Sequence, residues 1–407
     1  MEQIKGGVTA AKGFKAAGVE ANIKYSGRLD MALVYSEVPS VAAGTFTTNV
    51  VKAAPVVWDM DIVRGKGSVS AVVVNSGIAN ACTGEEGMEI CRETAKYTGE
   101  KLGIDEKSVL VGSTGVIGMQ MDMNKLKAGI DKLVPALGES LEKGTDANSA
   151  ILTTDTHGKE VAVKLTLDGK EVTIGGMSKG SGMIHPNMCT MLSFVTTDVC
   201  ISKELLQKAV SKSVNDSFNM ISVDGDTSTN DTYVTLANGM AGNKEITEEN
   251  EDYSKFCEAL DFVNISLAKM MAGDGEGATA LIETRVIGAK TEEDARILAK
   301  SVITSSLTKA AIFGHDANWG RILCALGYSG AKFDPDKIEL FIESDAGRIL
   351  IFKNGKASDY SEDEATKILS EKEVRIIADM KMGNAHATAW GCDLSYDYVK
   401  INADYRS

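Results

Sequence analysis

The dipeptide Cys189-Thr190 lies inside GGMSKGSGMIHPNMCTMLSFVTTD (175–198), a run of small and apolar residues. Just before it comes Lys179-Gly180-Ser181-Gly182, read here as a glycine-rich turn that carries a lysine. A threonine hydroxyl is a poor nucleophile until a base takes its proton. Cutting the peptide bond on its N-terminal side supplies that base, because the freed α-amine sits on the same residue. Such an amine titrates at roughly 7.7–8.0, which leaves a useful neutral fraction near physiological pH. The segment reads as a self-processing site with Thr190 as the released nucleophile.

Other blocks of chemistry-bearing residues are spread along the chain. Near the start is GVTAAKGF (7–14), followed by NSGIANACTG (75–84) and GSTGVIG (112–118). Then come SVDGDTSTNDT (222–232), GDGEGAT (273–279) and DANWGRI (316–322). With KGSGMIHPNMCTML (179–192), these pieces, in this order, resemble the ornithine acetyltransferase family, the often bifunctional glutamate N-acetyltransferases of arginine biosynthesis. One glycine-rich piece would be weak; seven in order across the whole length are specific. Three positions depart from the family pattern. They are Ile78 where an asparagine is usual, Cys189 where alanine is frequent, and Ala317 where proline is common.

The resemblance implies autocatalytic cleavage between Cys189 and Thr190, giving chains 1–189 and 190–407. It also implies an acetyl group carried on Thr190 in a ping-pong transfer from N2-acetyl-L-ornithine to L-glutamate. Thr114, through its hydroxyl, and Gly115, through its backbone N–H, are the implied oxyanion donors, each worth about 2.7–4 kcal/mol in such sites. Lys179 is placed to hold a substrate carboxylate and Glu276 a substrate ammonium. Asn402 and Ser407 match positions that complete the substrate site. Thr153 and Thr154 are both placed to bind substrate, and the sequence leaves open which faces it. The implied fold is a mixed α/β (α+β) arrangement of layered sheets and helices, of the DmpA/ornithine acetyltransferase type. Its two chains share one core, and relatives assemble as heterotetramers of two long and two short chains. No cofactor is implied, and acetyl-CoA as a further donor stays open.

Each residue also has a plainer reading. Thr190 would be a half-buried strand threonine, Lys179 a solvated turn lysine, and Thr114-Gly115 an ordinary strand-to-helix turn. Glu276 between two glycines would be a solvated carboxylate, and Asn402 and Ser407 belong to a chain end that usually frays. His185 reads as a turn residue beside Pro186. A self-processing aminopeptidase or amidohydrolase of related fold is the alternative enzyme, and a non-catalytic binding protein is a third reading. Acetyl transfer to glutamate rather than to water separates the first two.

Several functions are excluded by pattern. Asp224-Gly225-Asp226 begins like a calcium loop, yet its sixth position is Thr229 and its twelfth Thr235, where glycine and glutamate are needed. No G-x-x-x-x-G-K-[ST] exists for nucleotide phosphates. The four histidines and seven cysteines show no metal-ligand spacing, so no metal is expected and the cysteines read as free thiols. A net charge of −14 argues against nucleic acid, and requires any carboxylate site to be locally basic. No apolar stretch suits a leader or a membrane span, which suggests a cytoplasmic protein.

The elements that must position these residues are partly readable. Ser70–Asn75 reads as a buried strand, and 161–167 with 171–174 as a hairpin about Asp168-Gly169. Strands are expected at 338–343 and 349–353, with a tight turn at Asn354-Gly355. Leu206, Val210, Val214 and Phe218 fall on one helical face after a Ser202 cap. Phe256, Leu260, Val263, Leu267 and Met271 form a second stripe ending at Gly273, and Thr291 opens a capping box. Without a long linker, the two cleaved chains are expected to stay associated.

Overall fold

The structure, a computed structural model, describes residues 1–185 and 191–403, so Cys189, Thr190 and Ser407 lie outside the described residues. In chain order its strands are β1 (Glu2–Ile4), β2 (Phe14–Val19), β3 (Met31–Phe46), β4 (Val69–Asn75), β5 (Val109–Ser113), β6 (Lys159–Leu167), β7 (Lys170–Lys179) and β8 (Leu192–Thr197). There follow β9 (Ile221–Ser222), β10 (Thr232–Ala237), β11 (Leu281–Ala289), β12 (Glu339–Ser344), β13 (Gly347–Lys353), β14 (Lys356–Ala357), β15 (Glu373–Asp379) and β16 (Ala385–Cys392). They form two compact units. The first holds 1–180, 191–215 and 227–267; the second holds 181–185, 216–226 and 268–403.

The first unit is built on a nine-stranded sheet in the order β1-β6-β7-β8-β10-β3-β4-β5, with β2 also on β3. β4 reads VSAVVVN and is buried at every position, as β-branched residues covered on both faces should be. It runs parallel to β5, and the helix Gly84–Leu102 lies between them in sequence. Asn75 is in register with Ser113, so the two strands end side by side. The loops that follow leave the same edge of the sheet. That edge, at the carboxyl ends of parallel strands, is where open α/β sheets place ligands.

The expected hairpin forms, with Asp168 (φ 48°) and Gly169 (φ 70°) both left-handed. A two-residue turn of that kind matches the twist of the strands it joins. β7 runs on past the expected Ile174 to Lys179. Lys179 is therefore the last residue of a strand rather than part of a turn, because the ladder with β8 continues to Lys179↔Leu192. β8 and β10, which follow Thr190, are interior strands between β7 and β3, which precede it. The units thus do not coincide with the segments 1–189 and 190–407.

The second unit is a seven-stranded sheet, β14-β13-β12-β15-β11-β16-β9. Asn354 (φ 53°) and Gly355 (φ 71°) make the expected turn between β13 and β14. Thr291 caps the helix Glu292–Thr304, which packs on β11 and β16, by accepting the Asp294 N–H. In the DANWGRI block, Asn318 caps the helix Trp319–Gly327 through the Arg321 N–H, so that block is structural. The helix Glu251–Gly273 ends at the expected glycine. One stripe is shorter than expected: the helix after Ser202 stops at Asp216, and Phe218 is buried in a separate 3₁₀ turn, Phe218–Met220.

Candidate active site

The loop after β5 is fixed by the loop after β4. Thr114 N–H donates to Asn75 O (3.1 Å) and Val116 N–H to Gly77 O (3.1 Å). Between them, no acceptor among the described residues takes the Gly115 N–H. Gly115 has φ +129°, and a Cβ there would lie 2.3 Å from the Gly77 carbonyl carbon, so only glycine fits. The two asparagines of the surrounding motifs hold the loops in place. Asn75 Nδ2 donates to Ile78 O (2.9 Å), while Asn75 Oδ1 accepts from Ser113 Oγ (2.7 Å). Asn230 Nδ2 donates to Ala79 O (2.5 Å) and to Ser113 O (2.8 Å). The segment joins β5 to the helix Met123–Ala136, is tied down by these hydrogen bonds, and places the Thr114 hydroxyl next to Gly115 in sequence.

That hydroxyl has a charged neighbour. Lys179 Nζ donates to Thr114 Oγ1 at 3.3 Å, and Lys179 is only 8 % exposed. The solvated-lysine reading of Lys179 is therefore wrong. A lysine donating into the threonine oxygen leaves the hydroxyl proton free to point elsewhere, and polarises it.

Behind Lys179 lies a residue that the sequence reading passed over, Asp155. Its Oδ1 accepts from Lys159 Nζ (2.7 Å) and from Gly180 N–H (2.6 Å). Its Oδ2 accepts from Thr153 N–H (3.1 Å). The Asp155 and Lys159 side chains are both fully buried. Burial alone would push this carboxyl up, but the Lys179 and Lys159 charges and the hydrogen bonds from Lys159 and Gly180 bring it down to about 2. Two lysine charges thus act on this one aspartate in a chain that is acidic as a whole. The first unit thus gathers Thr114, Gly115, Lys179 and the Thr153 backbone around Asp155. Thr153 and Thr154 sit just beyond the helix Leu141–Ile151. Asp155 had one visible signal, a lone acid in Leu152-Thr153-Thr154-Asp155-Thr156, but its partners come from positions 159 and 180.

The second unit gathers the other expected residues. Glu276 is 8 % exposed, and its Oε2 accepts from Asn402 Nδ2 (2.8 Å). Asn402 lies in the helix Tyr396–Ala403, so the chain is helical this far. Glu276 N–H donates to Ser181 O (2.8 Å), and the carboxylate covers Gly182, where a Cβ would stand 2.4 Å from Glu276 Cδ. A side chain in place of the second glycine of Lys179-Gly180-Ser181-Gly182 would thus displace the Glu276 carboxylate, and the solvated reading of Glu276 fails as well.

Asp224, rejected above as a calcium ligand, anchors the same segment. Its carboxylate accepts from Met183 N–H (2.6 Å) and Ile184 N–H (2.8 Å), and burial holds its pKa above the usual carboxylate range. Met183 takes a left-handed φ of 55° there. His185 is more than a turn residue. Its Nδ1 is 3.2 Å from Ser222 Oγ, and burial, reinforced by the Lys300 charge, lowers its pKa to about 4. It is neutral at physiological pH.

Elsewhere on the first unit, a cleft of about 560 Å3 opens near the start of β7, beside Lys12, Lys164, Lys170 and Asp198. None of the expected site residues lines it. Among the described residues no group of three or more His, Cys, Asp or Glu could hold a metal ion, and no helix is long and apolar enough to cross a membrane. The described cysteines are free thiols.

Comparison with known proteins places the chain in a family. Residues 15–407 match the ArgJ family. The arginine biosynthesis bifunctional protein ArgJ of Caldanaerobacter subterraneus subsp. tengcongensis is 54% identical over 407 residues, covering 100% of both chains. That of Thermotoga neapolitana is 53% identical over 397 residues, covering 97% of this chain and 99% of the other. Among solved structures, the crystal structure of the arginine biosynthesis bifunctional protein argJ of Bacillus halodurans is 47% identical. It covers 52% of this chain and 97% of its own, with a TM-score of 0.50.

Proposed function

The chain belongs to the ArgJ family, and from that premise we propose that it is an acetyltransferase of arginine biosynthesis, a glutamate N-acetyltransferase that moves the acetyl group of N2-acetyl-L-ornithine to L-glutamate. The observation that carries this reading is the buried contact of Lys179 Nζ with Thr114 Oγ1, next to a Gly115 N–H that no described residue accepts. On this reading the Thr114 hydroxyl and the Gly115 N–H donate to the developing oxyanion with the Lys179 charge beside them, as acyl transfer requires.

In this reading the bond between Cys189 and Thr190 is cut, and the Thr190 α-amine becomes the base. It takes the Thr190 hydroxyl proton as the oxygen adds to the acetyl carbonyl. The carbonyl oxygen gains the charge and is held by the Thr114 hydroxyl and the Gly115 N–H. The C–N bond then breaks, and ornithine leaves with the proton. Glutamate's amine attacks the acetyl-threonine ester next, reversing the proton path, so no cofactor is needed. Glu276 and Asn402 are assigned to the substrate amino group, and Lys179, with Thr153 or Thr154, to its carboxylate end. Ser407 joins that set by resemblance alone. The half-length match of the Bacillus halodurans chain supports the cut, since about half of this chain follows Cys189. Acetyl-CoA as a second donor belongs to the same reading, supported by the word bifunctional in the relatives' names. So do a heterotetramer of two long and two short chains and a cytoplasmic setting.

Intact mass under denaturing conditions, beside Thr190→Ala, tests it. Two chains meeting at Cys189 and Thr190, with an acetyl adduct on the Thr190 chain after N-acetylornithine, are expected. A single uncut chain with full activity in both samples overturns the mechanism. Acetyl release to water at the same rate with and without glutamate would favour the amidohydrolase instead.

A further inference from the structure

Asp155 receives the Gly180 N–H at 2.6 Å, so it grips the backbone directly after Lys179. The same oxygen takes Lys159 Nζ at 2.7 Å, and the other takes the Thr153 N–H at 3.1 Å. Lys159 is fully buried and also donates to His157 O (3.3 Å). With Lys179, whose charge acts more strongly, it keeps Asp155 ionised, since a buried carboxylate without a cation would neutralise itself. Asp155 is thus a junction: one carboxylate ties the segment bearing Thr153 to the end of β7, where Lys179 leans on Thr114. No ligand is needed to assemble it.

We propose that Asp155 is a positioning residue for acyl transfer, which fixes the end of β7 so that Lys179 Nζ stays on Thr114 Oγ1 and the Thr114 hydroxyl proton stays aimed at the reacting carbonyl oxygen. The inference rests on the acetyl-transfer reading above. It gives Lys179 a second duty beyond any contact with substrate, because its charge orients an oxyanion donor from behind. It also explains why a fully buried lysine, Lys159, accompanies the site. Lys179 and Lys159 both face Asp155, and together they hold it ionised. A shift of a donor by about 1 Å can cost on the order of 10²-fold in rate, so the tether has a kinetic consequence out of proportion to its size.

The test must separate positioning from plain stability, because Asp155→Asn leaves two buried lysines facing a neutral amide. The second variant is therefore the double substitution Asp155→Asn with Lys159→Met, which removes the carboxylate and its buried counter-charge together. For wild type, Asp155→Asn and the double variant, three quantities are read: the fraction cut by intact mass, the melting temperature, and kcat and KM per cut chain with N-acetylornithine and glutamate. A positioning role predicts that the double variant regains most of the melting temperature lost in Asp155→Asn. Its kcat nevertheless stays at least ~10-fold below wild type, with KM changed less than about threefold. A double variant whose kcat recovers along with its melting temperature shows a purely structural role and overturns the proposal. A stable double variant that is not cut also overturns it, and moves Asp155 to the cleavage step. Absence of acetyl transfer in wild type would instead refute the acetyl-transfer reading itself.

Discussion

Replacing Thr114 by valine removes one oxygen from a buried contact and almost nothing else. The two side chains have nearly the same shape, and Thr114 follows directly on β5, where a β-branched residue is at home. The loop backbone is held by Asn75, Gly77 and Asn230, none of which bonds the Thr114 hydroxyl, so the Gly115 N–H keeps its place. What disappears is one acceptor of Lys179 Nζ and, on the proposed mechanism, one of two oxyanion donors in the transition state. Loss of one such donor costs about 2.7–4 kcal/mol, or about 10²–10³ in kcat. Loss of the Lys179 contact costs stability separately, on the order of 1–3 kcal/mol for a buried group deprived of a partner. The assay is single-turnover formation of the acetyl-enzyme from N-acetylornithine, followed by quench and intact mass, with Thr114→Ser as the control that keeps the hydroxyl. Thr114→Val should slow acetylation by about two to three orders of magnitude with little change in half-saturation, and Thr114→Ser by far less. Acetylation by Thr114→Val within threefold of wild type, or a loss confined to half-saturation, would refute the oxyanion assignment.

Three further outcomes follow from the same geometry. Gly182→Ala places a Cβ 2.4 Å from Glu276 Cδ and must push that carboxylate aside; KM for N-acetylornithine should rise ~10-fold or more, and an unchanged KM would detach Glu276 from substrate binding. Asp59 is buried on the helix Ala54–Arg64, and burial raises its carboxyl well above normal, the Val111 N–H only partly opposing this. The folded chain then holds a proton that the unfolded chain releases above about 4, so stability falls as pH rises from there toward the raised value. Asp59→Asn should flatten that decline in melting temperature as pH rises above about 4, and a parallel decline in both proteins would contradict it. For His185, whose folded pKa lies near 4, the sign is opposite: its contribution is complete above about 6.5 and is lost as pH falls toward 4. His185→Gln should therefore lose less stability than wild type across that acid window, measured by denaturant unfolding at each pH.

How much of this could be read from residue order depends on the range of the interactions. Short-range patterns were sufficient for β4, the Asp168-Gly169 and Asn354-Gly355 turns, the Thr291 cap and the helix ending at Gly273, since each depends on neighbours a few residues away. The 3.6-residue spacing carries the expected helix after Ser202 on to Phe218, although the backbone has by then turned into a 3₁₀ segment. The glycines after Lys179 suggest a turn; the ladder with β8, set by residues after position 191, keeps it in the strand. The candidate residues themselves were legible through resemblance. What residue order does not reveal is why Lys179 is buried, that Gly182 lies under the Glu276 carboxylate, and that Asp155 exists as a hub. Each depends on a partner 25 to 94 positions away.

The placement of β8 and β10 between β7 and β3 has a consequence for how such a chain comes into being. If residues 1–189 were made alone, the sheet would lack its middle, and β7 and β3 would each present an unpaired edge to any passing strand. A single continuous chain is therefore its own assembly chaperone, since it delivers both halves of the ladder at equal number and high effective concentration. If the proposed cut is made, this topology requires folding to come first and scission second. A separately made 190–407 would have to compete with aggregation to find the place that the continuous chain gives it.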